Sequence, residues 1–69
     1  MRNTTKLKII LQLNTVSFDM DNDGNLNMTI IDRRNGERQT FIDQNYTVVV
    51  RKAFVHTNKK LKEPIGKER

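Results

Sequence analysis

The chain has 69 residues, a net charge of +5, no cysteine and a single histidine. This length fits one domain with a small core, and the missing cysteines exclude disulfides and cysteine-ligated zinc. A single histidine likewise excludes a histidine-rich metal site. We predict one domain over residues 1–63, followed by a flexible basic tail over residues 64–69.

The positive charge is distributed unevenly along the chain. Residues 1–44 contain six basic and six acidic side chains, whereas residues 45–69 contain seven basic and two acidic ones. Such asymmetry favours an anionic partner, and a solvated, solubilising end of the chain is the alternative. No stretch approaches the roughly 20 apolar residues of a membrane span, and no signal peptide is recognisable. We therefore expect a cytoplasmic protein without membrane contacts.

The first predicted element covers residues 5–13. Aliphatic residues occupy every second position from Leu7 to Leu13, an alternation that favours a β-strand. A short helix is the alternative, because Leu7, Ile10 and Leu11 also follow helical spacing and a preceding threonine can cap the helix.

A hairpin is predicted around the turn-forming segment Asp21–Asn25. A five-residue loop pairs Met20 with Leu26 and Phe18 with Met28, so that apolar side chains face each other across the strands. A two-residue loop centred on the aspartate–glycine step loses this match. We therefore predict the longer loop.

A second hairpin is predicted at Asn35-Gly36, because a two-residue type I′ turn needs positive φ at both positions. This turn pairs Asp32 with Gln39 and Ile30 with Phe41. The three strands then form an antiparallel meander with one apolar face.

The last predicted element is a helix over residues 44–62. Its apolar stripe consists of Tyr46, Val49, Val50, Ala53, Phe54, Thr57 and Leu61. The alternative is a strand, because Tyr46–Val50 is rich in β-branched residues.

The predicted fold class is α+β: an antiparallel three- to four-stranded meander with one C-terminal helix packed on its apolar face. This layout resembles some small DNA-binding domains, including the plant ethylene-response type and the arm-binding domain of certain recombinases. The resemblance concerns architecture alone and includes no sequence motif.

The aspartates of the first predicted turn are a weak calcium candidate. Asp19, Asp21, Asp23 and Gly24 resemble the first half of a calcium-binding loop, which carries oxygen ligands at positions 1, 3 and 5 and glycine at position 6. Position 12, where a bidentate glutamate belongs, is Ile30. We expect a hairpin loop here, and no cofactor.

No set of residues with catalytic spacing is present. His56 is the only histidine and has no recognisable nucleophile partner, and the three glycines lie too far apart for a phosphate loop. We predict a non-enzymatic binding module.

Two groups of basic residues are candidate anion-binding sites. They are Arg33, Arg34 and Arg38 in the predicted hairpin, and Arg51, Lys52, Lys59, Lys60 and Lys62 on the predicted helix. The leading hypothesis is nucleic-acid binding through phosphate contacts. The alternative is a protein–protein interaction module, because Val48 and Val55 are predicted to be exposed among the helix cations. Under this alternative hypothesis, the protein forms a homodimer, or it is a small phage-type or accessory protein that binds an acidic partner.

Overall fold

The structure is a computed structural model that describes residues 2–62 and the side chains of residues 2–60. The elements are α1 (Asn3–Leu13), β1 (Asn14–Met20), β2 (Leu26–Asp32), β3 (Arg38–Asp43) and α2 (Tyr46–Lys62). The three strands form one antiparallel sheet in the order β1-β2-β3. The predicted α+β class, meander and C-terminal helix are confirmed, whereas the predicted tail over residues 64–69 lies outside the described residues.

The first element is the helix α1, so the favoured strand over residues 5–13 is wrong and the alternative helix is confirmed. Ile10 is fully buried and Leu7 packs against the core, whereas Leu11 is exposed. Leu7 and Ile10 are three residues apart, so the buried side chains have helical spacing. The aliphatic run supports both periods, and packing against α2 selects the helix, since isolated short helices are marginal in water.

Asn14 connects α1 to β1 without a loop. Its buried side-chain Nδ2 donates to the carbonyl of Ile10 at 2.9 Å and to Oγ1 of Thr57 at 3.3 Å. The first bond satisfies a carbonyl at the end of α1, and the second ties the same point to α2.

The β1–β2 hairpin has the predicted register, with Met20 opposite Leu26 and Phe18 opposite Met28. Within its loop, Oδ1 of Asp21 accepts hydrogen bonds from the backbone amides of Asp23 and Asn25, both at 2.9 Å. The five-residue loop is confirmed.

The β2–β3 hairpin differs from the predicted two-residue turn. Met28 pairs with Phe41 and Ile30 with Gln39, a shift of two residues. Residues 33–37 form the loop, in which Gly36 has a φ of 75°. Because side chains alternate with a period of two, this shift leaves Phe41 on the predicted apolar face.

Both helices cover the same face of the sheet. The buried core consists of Ile10 from α1, Met28 and Ile30 from β2, and Val49, Val50 and Ala53 from α2. The helices run in the same direction: near their starts, Asn3 Nδ2 donates to Thr47 Oγ1 at 3.1 Å, and Asn14 contacts Thr57 near their ends. The fold thus has a helical layer, α1 and α2, and a sheet layer, residues 14–45.

The predicted helix at the end of the chain is confirmed as α2. Oδ1 of Asn45 accepts hydrogen bonds from the amides of Thr47 at 2.8 Å and Val48 at 3.4 Å, which caps the helix. Neither described helix has the length and hydropathy that crossing a membrane requires.

Candidate anion-binding surface

The two layers carry opposite net charge. Within the described residues, α1 and α2 contain seven basic residues and no acidic one. The sheet layer contains three basic and six acidic residues, a net charge of −3. The charge asymmetry that the sequence shows along the chain is therefore an asymmetry between two packed layers, and the helical layer is the positive one.

An exposed stripe on α2 carries the clearest positive surface. Arg51, Val55 and Lys59 are exposed and lie four residues apart, so each follows the previous one by about 6 Å along the helix axis. Neither cation has a carboxylate partner among the described residues. We call these three residues the α2 stripe. Val48 is half-buried and Val55 is 46% exposed, so the two predicted contact valines differ in accessibility.

Two other predicted cations of α2 are held by acidic residues. Lys52 Nζ lies 3.7 Å from the carboxylate of Asp43 and 3.5 Å from the carbonyl of Ile42. Lys60 bonds the carboxylate of Glu37 and lies 3.5 Å from that of Asp32. The pKa of Lys60 is raised, with the Glu37 hydrogen bond as the largest cause. The side chain of Lys62 lies outside the described residues.

Asp32 is the centre of the contacts that join the hairpin to α2. Its carboxylate is 2% exposed and accepts hydrogen bonds from Arg34 through the backbone amide at 2.8 Å, Nε at 3.2 Å and Nη2 at 3.0 Å. These bonds, with Lys60 nearby, hold the pKa of Asp32 well below its usual range. Two predicted site residues, Arg34 and Lys60, are thus engaged with the buried carboxylate of Asp32.

The three hairpin arginines do not form one patch. Arg34 is bonded to Asp32, whereas Nη1 of Arg33 lies 3.5 Å from the carbonyl of Gln12 in the last turn of α1. Arg38 lies opposite Ile31 on the face of the sheet away from the helices. Arg33 therefore lies beside α1, and Arg34 shares the carboxylate of Asp32 with Lys60 of α2.

Sequence reasoning missed the cations at the start of the chain. Arg2 and Lys8 are exposed and have no acidic partner among the described residues. Arg2 and Lys8 belong to residues 1–44, whose net charge is zero by sequence, although all the acidic residues of that segment lie in the sheet layer. The sequence does indicate that these two cations are unpaired locally, because no acidic residue precedes Asp19.

The aspartates of the calcium candidate do not gather into a site. The carboxylate of Asp21 accepts hydrogen bonds from backbone amides of its own loop, and these hydrogen bonds lower the pKa of its carboxyl. Asp19 accepts a hydrogen bond from the amide of Met20 at 2.9 Å. In the described part of the chain, no group of three or more acidic, histidine or cysteine side chains is arranged to hold a metal ion.

His56 packs against an aromatic ring instead of a nucleophile. Its ring centroid lies 5.8 Å from that of Phe41, with the ring planes tilted by 58°. This contact places the histidine at the boundary between α2 and β3. No protein-family model, curated protein or solved structure matches the chain.

Proposed function

We propose that the protein binds nucleic acid through phosphate contacts made by its helical layer. The observation that carries the proposal is the segregation of charge, because neither described helix contains an acidic residue while together they contain seven basic ones. A surface of one sign attracts a polyanion and orients it before contact.

The α2 stripe is the centre of the proposed surface. Arg51 and Lys59 are exposed and have no carboxylate partner in the described part of the chain, so a phosphate binding there displaces no internal ion pair. Lys52 and Lys60 differ in this respect, since each already neutralises an acid of the sheet layer. Arg2 and Lys8 extend the charge onto the start of the chain and α1.

The test compares single charge removals in the two layers. Arg51→Gln and Lys59→Gln remove a cation from the α2 stripe, and Arg38→Gln removes one from the opposite face of the sheet. All three variants have the same net charge. Anisotropy of a labelled oligonucleotide of about 20 residues, single-stranded or duplex, gives the affinity across a salt series.

We expect each stripe variant to bind about threefold more weakly and to lower the slope of log affinity against log salt by about 1. Arg38→Gln should leave both quantities close to those of the parent protein. Equal effects of all three substitutions would remove the special role of the helical layer. No binding at low salt would remove the proposed function.

A second candidate function is a protein–protein contact through the α2 stripe, favoured by the exposure of Val55 between two cations. Val55→Thr keeps the shape of the side chain but makes it polar. Phosphate binding should not change in this variant, whereas an apolar protein interface should weaken. Light scattering of the parent protein over a range of concentrations tests the homodimer form directly.

A further inference from the structure

An exposed aromatic pair lies at the end of the sheet where the two helices begin. The ring of Phe18, near the end of β1, lies 5.9 Å from that of Tyr46, the first residue of α2, with a tilt of 41°. The two residues are 44% and 41% exposed. Exposure increases along β1 towards this end, since Val16 is half-buried against the core whereas Phe18 and Met20 are exposed.

Core packing does not account for this pair. The chain has four aromatic rings, and the other two pack against the core: Phe41 beside His56, and Phe54 with Lys6 Nζ 5.9 Å from its ring centre. Phe18 and Tyr46 instead present ring surface to solvent.

The pair is next to the positive layer. The hydrogen bond from Asn3 to Thr47 joins the starts of α1 and α2, and Arg2 and Tyr46 directly precede those two residues. Arg51 of the α2 stripe follows Tyr46 by five residues, which is about 7.5 Å along the helix axis and about 140° around it.

Two carboxylates at this end of the molecule, Asp21 and Asp43, are engaged in local bonds. The carboxylate of Asp21 accepts hydrogen bonds from two backbone amides of its own loop. The Asp43 carboxylate accepts a hydrogen bond from the backbone amide of Asn45 and forms an ion pair with Lys52. Both contacts lower the pKa of the Asp43 carboxyl. The aromatic pair therefore lies at the start of the positive layer, and the oxygens of these two acids are bonded within their own part of the fold.

We infer that Phe18 and Tyr46 stack on an unpaired base of the nucleic acid whose phosphates bind the helical layer. A ligand that carries phosphates and flat bases together matches an exposed aromatic pair at the start of a positively charged helical layer. The inference rests on the proposed function and sharpens it, because it specifies a single-stranded segment as the bound form.

The experiment compares two labelled oligomers of about ten units, within the range that single-strand binding sites occupy. One is oligothymidylate, and the other has the same phosphates and sugars without bases. An oligouridylate arm distinguishes RNA from DNA. The variants are Tyr46→Leu and Phe18→Leu, with Tyr46→Phe as the conservative replacement and Ile42→Leu as an exposed apolar control on the other sheet face.

We expect the parent protein to bind oligothymidylate more tightly than the abasic oligomer. Tyr46→Leu and Phe18→Leu should each weaken oligothymidylate binding about fivefold, at the lower end of the effect of losing one stacking ring. Binding of the abasic oligomer and the salt slope should not change, because the phosphate contacts remain. Tyr46→Phe should retain the parent affinity, and so should Ile42→Leu.

Equal binding of the two oligomers by the parent protein would overturn the stacking inference and leave phosphate binding intact. A fivefold loss for both oligomers in Tyr46→Leu would also overturn it, since that result indicates a structural role. Absence of binding to either oligomer at low salt would overturn the proposed function together with this inference.

Discussion

The two layers of the molecule use their charges differently. In the sheet layer, Asp32 and Asp43 each have a cation within ion-pair distance, and Asp21 accepts the amides of its own loop. In the helical layer, Arg51 and Lys59 have no carboxylate partner among the described residues. Several acids of the sheet layer thus stabilise turns and contacts with α2, and they engage Lys52 and Lys60, whereas Arg51 and Lys59 of the helical layer remain available to a ligand. The number of charges in a segment does not distinguish these roles, because both depend on which element packs nearby.

The largest expected effect comes from the core between the layers. Ile30 is 1% exposed beneath the helices, whereas its neighbour Ile31 is half-buried on the opposite sheet face. Ile30→Ala should lower the free energy of unfolding by about 3 kcal/mol, because it removes apolar contacts and leaves a cavity. Ile31→Ala should cost about 1 kcal/mol or less. Urea unfolding measures both, and equal losses would contradict the assignment of the faces.

Breaking the junction between the layers should have the next largest effect. Asp32→Asn removes a buried carboxylate that accepts three hydrogen bonds from Arg34 and lies near Lys60. We expect a loss of about 2 kcal/mol in the free energy of unfolding at neutral pH. Asp23→Asn is the matched control in an exposed loop, and its effect should stay within about 0.5 kcal/mol.

The same junction predicts a pH dependence. The pKa of Asp32 is lowered by folding, so its stabilising contribution is complete above the unfolded value of about 3.9. It is lost as the pH falls below that value. The difference in unfolding free energy between the parent protein and Asp32→Asn should therefore shrink from about pH 4 downward. A difference that stays constant to pH 2 would show that the carboxylate charge is not the cause.

A smaller effect is expected at the loop of the second hairpin. Gly36 has a φ of 75°, and a Cβ placed there meets no atom within 4 Å. Gly36→Ala should therefore cost about 1 kcal/mol through backbone conformation alone. Gly36→Asn should cost less, since asparagine tolerates this region better. Thermal unfolding of both variants measures the difference, and an equal cost would contradict the left-handed backbone conformation as the cause.

The smallest predicted effect sharpens the contrast in binding. Lys8→Gln removes an exposed cation of the helical layer, in the half of the chain that is neutral by sequence. We expect about twofold weaker oligonucleotide binding and a salt slope reduced by just under 1. The charge-matched Arg38→Gln on the sheet face should change neither quantity. A larger effect from Arg38→Gln would move the binding surface to the sheet.

Sequence reasoning predicted the first hairpin correctly and the second only in part. The β1–β2 register followed from matching Phe18 with Met28 across a loop of defined length. At the second turn, Asn35-Gly36 favoured a tight two-residue connection. The structure instead uses the carboxylate of Asp32 to bond the amide and side chain of Arg34, and such side-chain bonds are invisible to a rule about turn residues.

The candidate site was predicted in part as well. The sequence placed Arg51 and Lys59 among the candidate cations and Val55 among the exposed valines, but it did not separate them from Lys52, Lys60 and Val48. That Lys60 pairs with Glu37 and the buried Asp32 required knowledge of which strand ends lie beside it. The pairing of Phe18 with Tyr46 had no sequence signal, because the two residues are distant in the chain and meet only when α2 packs on the sheet.

The sequence by itself determined the class of fold, the α2 helix, the apolar face of the sheet and the absence of cysteine chemistry. These properties depend on composition and on local periodicity, which are written along the chain. Only the tertiary structure decided that residues 3–13 form a helix and that the positive charge belongs to one layer. Both outcomes arise from contacts between distant segments: α1 is stabilised by packing on α2, and a cation becomes available or engaged according to the acid that folding brings to it.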